Sequence, residues 1–283
     1  MNNLVLRIIT AIVGAAIMIT GILWNTITCY LTMLVLAIIL QVEFLNTVQH
    51  LKSGKKNYTE YVIVVLTGIT LFVSTAGYNI MVAQPFIIFF FLFILFPCII
   101  IYELFAGREN PFQNIGLNIT SLVYVILPFS LLAFIGTNGD VSVYGVSGNE
   151  HQPWILLGYF FIVWSNDTFA YFTGKAFGKH KLFERISPNK TWEGFFGGMV
   201  AGFLCAYLLS RFVDPLTPAN WLLIALIIAV FGTLGDLTES MLKRSLQIKD
   251  SSTALPGHGG FLDRFDATLI AAPFVFFYLL FCL

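Results

Sequence analysis

Long apolar runs alternate with short polar connections along this chain. Nine such runs stand out, at approximately 4–24, 28–46, 59–76, 84–103, 115–136, 154–173, 194–212, 220–238 and 264–282. Each approaches the roughly 20 residues that an α-helix needs to cross a bilayer core. None shows the strict in-out alternation of a barrel strand. Backbone groups in lipid must be satisfied within the segment itself, so the runs predict helices. The expected fold class is an all-α polytopic integral membrane protein with about nine transmembrane helices. One arginine precedes the first run, but no A-x-A-like site follows it, which favours a retained helix over a cleaved signal peptide. Pro97 lies within the fourth run and predicts a kink there.

Composition agrees with the pattern. The chain is 58% hydrophobic and 11% charged, less than half the charge of an ordinary soluble domain. Net charge is zero, so nothing in the balance points to nucleic acid. The four cysteines (Cys29, Cys98, Cys205, Cys282) lie far apart in apolar runs, without metal-ligand spacing or a disulfide framework. With the N-terminus inside, 14 of the 15 Lys and Arg residues fall on cytoplasmic connections and only Arg211 on the other side. Basic residues collect on the cytoplasmic face, so this split predicts a cytoplasmic N-terminus and a multi-pass protein of the plasma membrane. The outer connection at 137–153 reads as an ordinary exposed loop. No break separates soluble domains, so 1–283 reads as one membrane-embedded domain, with N-terminal spans at 1–137 and a catalytic part at 154–283.

Polar residues break the pattern in three places. Ser165-Asn166-Asp167 lies deep in the sixth run, where an ionised carboxylate is costly unless paired or reached by water. It is either a structural carboxylate or part of a polar cavity. The connection 174–194 holds five basic residues, which the positive-inside bias explains, and also Ser187-Pro188-Asn189-Lys190-Thr191. That segment reads as a compact turn of hydrogen-bond donors suited to an anion such as phosphate.

The densest break is 236–266, with nine charged residues and a histidine in 31 positions. Asp236, Glu239, Ser240, Lys243 and Arg244 are spaced to share one face of a continuing helix. Residues 250–260 then break the helix, with Pro256 and three glycines around His258. Glycines let a backbone approach a ligand closely, and free N–H groups can cradle phosphate. Asp263 and Asp266 share a face where the last run begins. Carboxylates and phosphates coexist when a divalent cation lies between them. The residues alone therefore point to metal-assisted phosphoryl chemistry at the cytoplasmic membrane surface. The plainer reading is a charged loop anchoring two spans, each carboxylate pairing locally with Lys243 or Arg264.

The block running from Ser240 through Lys243-Arg244 and Lys249-Asp250 to Leu255-Pro256-Gly257-His258-Gly259-Gly260-Phe261-Leu262-Asp263-Arg264-Phe265-Asp266 resembles the signature of phosphatidate cytidylyltransferases, or CDP-diacylglycerol synthases. Ser165-Asn166-Asp167 and 187–194 resemble further segments of that family, with Asn189 where a lysine is more usual. The similarity covers about residues 160–283.

The resemblance implies a reaction in phospholipid biosynthesis, in which CTP and phosphatidic acid give CDP-diacylglycerol and pyrophosphate with Mg²⁺. A second cation of unassigned identity is compatible with it. It also implies an active site facing the cytoplasm, with the lipid bilayer as a partner. A second copy of the chain, forming a homodimer, is a further candidate partner. On this reading Asp263 and Asp236 are the first metal ligands, with Asp266 and Asp250 next. Asp167 either binds the second cation or orients a basic residue. Lys243, Arg244, Lys249 and Arg264 neutralise phosphates. His258 donates to a phosphate oxygen or holds the glycine turn. Ser187, Asn189, Lys190, Thr191, Ser240, Gly259 and Gly260 contact substrate. A CTP-dependent polyprenol or phytol kinase is the nearest alternative; a transporter leaves 236–266 unexplained.

Overall fold

A computed structural model describes residues 3–52, 57–76, 85–137, 153–213, 216–252, 254–255 and 259–281. Each predicted run carries helix within these residues. The helices are α1 (Asn3–Trp24), α2 (Thr26–Thr47), α3 (Tyr58–Ala76), α4 (Pro85–Ala106), α5 (Pro111–Thr120), α6 (Leu127–Thr137), α7 (Pro153–Phe177), α8 (Trp192–Phe212), α9 (Pro218–Ile227), α10 (Thr233–Ser245) and α11 (Leu262–Phe281). Widened π-helical stretches, Ser121–Ile126 and Ile228–Gly232, join α5 to α6 and α9 to α10.

Six of the described segments are long and apolar enough to cross a membrane: 26–51, 58–76, 111–137, 192–212, 218–245 and 262–281. α1 and α4 contribute the shorter apolar stretches Ile9–Trp24 and Phe93–Ala106. α7 is 25 residues long, but Ser165-Asn166-Asp167 interrupts its apolar run. The chain is a multi-pass α-helical membrane protein. Large apolar side chains such as Ile12, Ile17, Val62 and Val200 point outward, as a lipid-facing surface requires.

The sequence expectation needs one correction. Ser187–Thr191 is a β-strand, β2, and not a compact turn. It pairs antiparallel with β1 (Lys181–Phe183), with Lys181 opposite Thr191 and Phe183 opposite Ser187. The hairpin is pinned at its open end, where Trp192 N–H donates to His180 carbonyl oxygen at 3.0 Å. The turn itself lies at 184–186, closed by Ile186 N–H donating to Phe183 carbonyl oxygen. Thr191 then caps α8, its Oγ1 accepting from Gly194 N–H at 3.2 Å.

The chain divides into two compact units. The first contains residues 1–137 and 246–264, the second 138–245 and 265–283. The segment 246–264, with most of the glycine loop, thus groups with the N-terminal helices.

In the first unit, Met33, Leu40, Phe44, Val64, Phe72, Ile126 and Phe129 form a fully buried apolar core. Beside it lies an ion-pair network. Glu60 at the start of α3 accepts from Lys52 Nζ at 2.5 Å, Arg108 Nη1 at 2.7 Å and Asn118 Nδ2 at 2.9 Å. Glu103 accepts from the same Arg108 at 2.8 Å and from Asn114 at 3.1 Å. Two carboxylates and two cations balance, and the asparagines fill remaining sites. Such completeness is what makes buried charge tolerable. Burial pushes the Lys52 ammonium below its ordinary value, and the Glu60 contact opposes that shift.

In the second unit, α7 and α8 pack face to face through small residues. A Cβ on Gly198 would lie 2.6 Å from the Asn166 carbonyl oxygen, and one on Gly194 2.8 Å from that of Ala170. Only glycine permits so close a helix–helix approach. Trp221 is fully buried and seats its ring over Gly158.

Candidate active site

The second unit gathers carboxylates from three helices. Asp167 lies on α7, Asp236 and Glu239 on α10, and Asp266 on α11. Asp266 is near enough to the other three to feel their charge, and Asp167 is likewise near Asp236 and Lys190. Lys190 on β2 forms an ion pair with Asp236. Lys243 pairs with the buried Glu239 at 2.8 Å, one turn away on the same helix. The i, i+4 spacing read from the sequence therefore does place these residues on one face.

Ser240 Oγ lies 3.5 Å from Asp236 Oδ1. Asp266 Oδ1 accepts from Ala267 N–H at 2.7 Å. The buried Asn166 donates to Asp167 Oδ1 at 3.3 Å. Arg244 is exposed near the end of α10, and Ser187 and Asn189 lie on β2.

Four carboxyl groups and two lysines thus meet in this helical unit. Among the described residues no three His, Cys, Asp or Glu side chains are drawn together as a ready-made metal site. Mg²⁺ does not require one, because it is commonly held by one or two carboxylates and completes its shell with substrate phosphates and water. The carboxylate oxygens of this donor set fit a divalent cation.

The first unit holds the glycine loop. Leu255 N–H donates to Gly259 carbonyl oxygen at 2.9 Å. Gly259 has φ +83°, the left-handed region that favours glycine. His258 lies outside the described residues. Asp263 Oδ2 accepts from Gly260 N–H at 2.8 Å and Ser251 N–H at 3.0 Å, with Ser251 Oγ at 2.9 Å. Lys249, Asp250 and Arg264 are exposed. A cavity of about 470 Å³ lies against the loop. Ile38, Ile39 and Val42 on α2, with Ile248 and Phe261, give it apolar walls; Asn46, His50, Asp250 and Ser252 give it polar ones. Asp236 and Asp263, expected to act together, belong to the second and first unit respectively.

Glu43, on α2, was absent from the sequence reading. It is only 6% exposed and accepts from Phe261 N–H at 2.9 Å, Leu262 N–H at 3.1 Å and Ser251 Oγ at 2.5 Å. A signal was available: Glu43 is the one charged residue in the run 28–46, and an intramembrane carboxylate calls for a partner.

The fold is that of a multi-pass α-helical membrane protein, with an acidic cluster and paired lysines in the second unit and a glycine loop in the first. The chain belongs to the cytidylyltransferase family, whose sequence profile matches residues 5–282. Among curated relatives, the phosphatidate cytidylyltransferase of Bacillus subtilis is 51% identical over 119 residues, covering 42% of this chain and 44% of the relative. That of Staphylococcus epidermidis is 40% identical over 174 residues, covering 61% and 62%. That of Haemophilus influenzae is 41% identical over 138 residues, covering 47% and 48%. The matched stretches thus span roughly half the length of these relatives.

Proposed function

We propose that this protein transfers the cytidylyl group of CTP to phosphatidic acid, giving CDP-diacylglycerol and pyrophosphate for phospholipid synthesis. The observation that carries this reading is the meeting of Asp167, Asp236, Glu239 and Asp266 with Lys190 and Lys243 in one unit of a cytidylyltransferase-family chain. That arrangement suits a cation and phosphates. The names of the relatives supply the substrates.

An oxygen of the lipid phosphate attacks the α-phosphorus of CTP. The new P–O bond forms as the bond to the β-phosphate oxygen breaks, and pyrophosphate leaves with that electron pair. The lipid phosphate is already an anion at neutral pH, so no general base is needed. On this reading Asp236, Asp167 and Asp266 would hold Mg²⁺, while Asp263, expected as a ligand, has its Oδ2 engaged by Gly260 and Ser251. A divalent cation held there would offset charge on the transferring group and on pyrophosphate. Lys190, held by Asp236, and Lys243, held by Glu239, supply positive charge to phosphate oxygens. Arg244, Lys249 and Arg264 remain exposed for the same task.

A nine-span topology with a cytoplasmic N-terminus and active site accompanies this reading. Within the first unit, the connections after α2 and α4 meet at Glu60, and the segment after α10 meets the C-terminal end of α2 at Glu43 and Thr47. Alternating spans put those connections on one face, which supports the basic-residue count.

The test is the fate of label. With CTP labelled at the α-phosphate, the lipid product becomes labelled; with γ-labelled CTP, label leaves as pyrophosphate. Lipid labelled from the γ position would make the protein a CTP-dependent kinase.

A further inference from the structure

We propose that Glu43 is the positioning residue of the glycine loop, and that residue 260 is glycine in order to admit the Glu43 carboxylate. The functional part of this inference rests on the reading above; the structural part does not.

The first-turn N–H groups of a helix have no partners within the helix. Where the chain enters α11, two carboxylates divide the N–H groups of residues 260–262. Asp263, from the helix itself, takes Gly260 N–H, while Glu43, from α2, takes Phe261 N–H and Leu262 N–H. Ser251 stands between them, its Oγ 2.5 Å from Glu43 Oε1 and 2.9 Å from Asp263 Oδ2. One turn along α2, Thr47 Oγ1 reaches the Ser251 carbonyl oxygen at 3.1 Å. Both ends of the segment 251–262 are therefore tied to one face of α2. Charge-assisted bonds of this kind are about twice as strong as neutral ones, and burial of Glu43 shields them from water.

The space is equally specific. A Cβ added at Gly260 would lie 2.0 Å from Glu43 Oε1 and 2.0 Å from Ser251 Oγ. Gly260 is buried and its φ is not in the left-handed region. The demand for glycine at 260 therefore comes from the approach of Glu43 and Ser251, whereas Gly259 answers to its backbone angle. The segment between Asp250 and Asp263 is held by a residue 208 to 219 positions away in the sequence.

The experiment is a double-mutant cycle on the full-length protein in detergent, with Glu43→Ala, Gly260→Ala and the pair, followed by cytidylyl-transfer kinetics and thermal unfolding. Misplacing a reacting constellation by about an ångström costs about a hundredfold in rate. Each single variant should therefore lose turnover on that scale, with the loss in kcat exceeding any rise in KM for CTP. Residues in contact are non-additive, so adding Gly260→Ala to Glu43→Ala should cost several-fold less than Gly260→Ala costs alone. The drop in Tm caused by Gly260→Ala should likewise shrink in the Glu43→Ala background, the remainder coming from Ser251 Oγ. Glu43→Gln keeps one acceptor oxygen and should recover part of the turnover; Glu43→Ser, which frees the same space, replaces Glu43→Ala in the cycle if that variant does not fold. An equal Gly260→Ala penalty in both backgrounds would overturn the proposal and assign the glycine to substrate approach. So would a Glu43→Ala protein that keeps wild-type kcat. A wild-type protein inactive with CTP and phosphatidic acid would refute the functional reading, while the Tm cycle would still decide the Glu43–Gly260 contact.

Discussion

Asp236→Asn separates a catalytic carboxylate from a merely paired one. Asp236 contributes one of four carboxylates set against two lysines, and it forms the ion pair with Lys190. The two side chains are 37% and 23% exposed, so solvent screens the pair and its worth to stability is about 0–1 kcal/mol. Loss of a group that offsets charge in the transition state removes about 3 kcal/mol, or roughly a hundredfold in rate. Asp236→Asn should therefore cut kcat at saturating Mg²⁺ at least about a hundredfold. Unfolding free energy should change by no more than about 1 kcal/mol. Removing one negative charge should also raise the Mg²⁺ concentration needed for half-maximal rate. Steady-state transfer from labelled CTP to phosphatidic acid in detergent, with parallel denaturant unfolding, measures both. A variant keeping more than about half of wild-type kcat would show that Asp236 only holds Lys190.

Other outcomes are expected elsewhere. Glu60→Gln leaves Lys52 without a buried counter-charge and Arg108 with Glu103 alone. It should cost about 3–5 kcal/mol in unfolding free energy, and a change near zero would refute the coupling of those connections through Glu60. For topology, a cysteine introduced at Ser147 should react with an impermeant reagent in intact cells, and one at Ser53 only after permeabilisation. Labelling of both from the same side would end the nine-span arrangement.

Helix placement was readable from the sequence because lipid leaves the backbone no partner but itself, so an apolar run of sufficient length has one outcome. The face shared by Asp236, Glu239, Ser240 and Lys243 was readable for a similar reason, since helical spacing is local. The strand at Ser187–Thr191 was not, because pairing with Lys181–Phe183 depends on a neighbour and not on the segment's own donors. Nor could spacing show that Lys190 would meet Asp236, 46 residues on, and Asp167 and Asp266 gather from separate helices. Glu43 is the clearest case. Its position in an apolar run says that it needs a partner, but only the tertiary structure brings α2 against residues 251–262. Hydrophobicity acts along the chain and shows in sequence; a buried carboxylate's partners are chosen by packing, across any sequence distance.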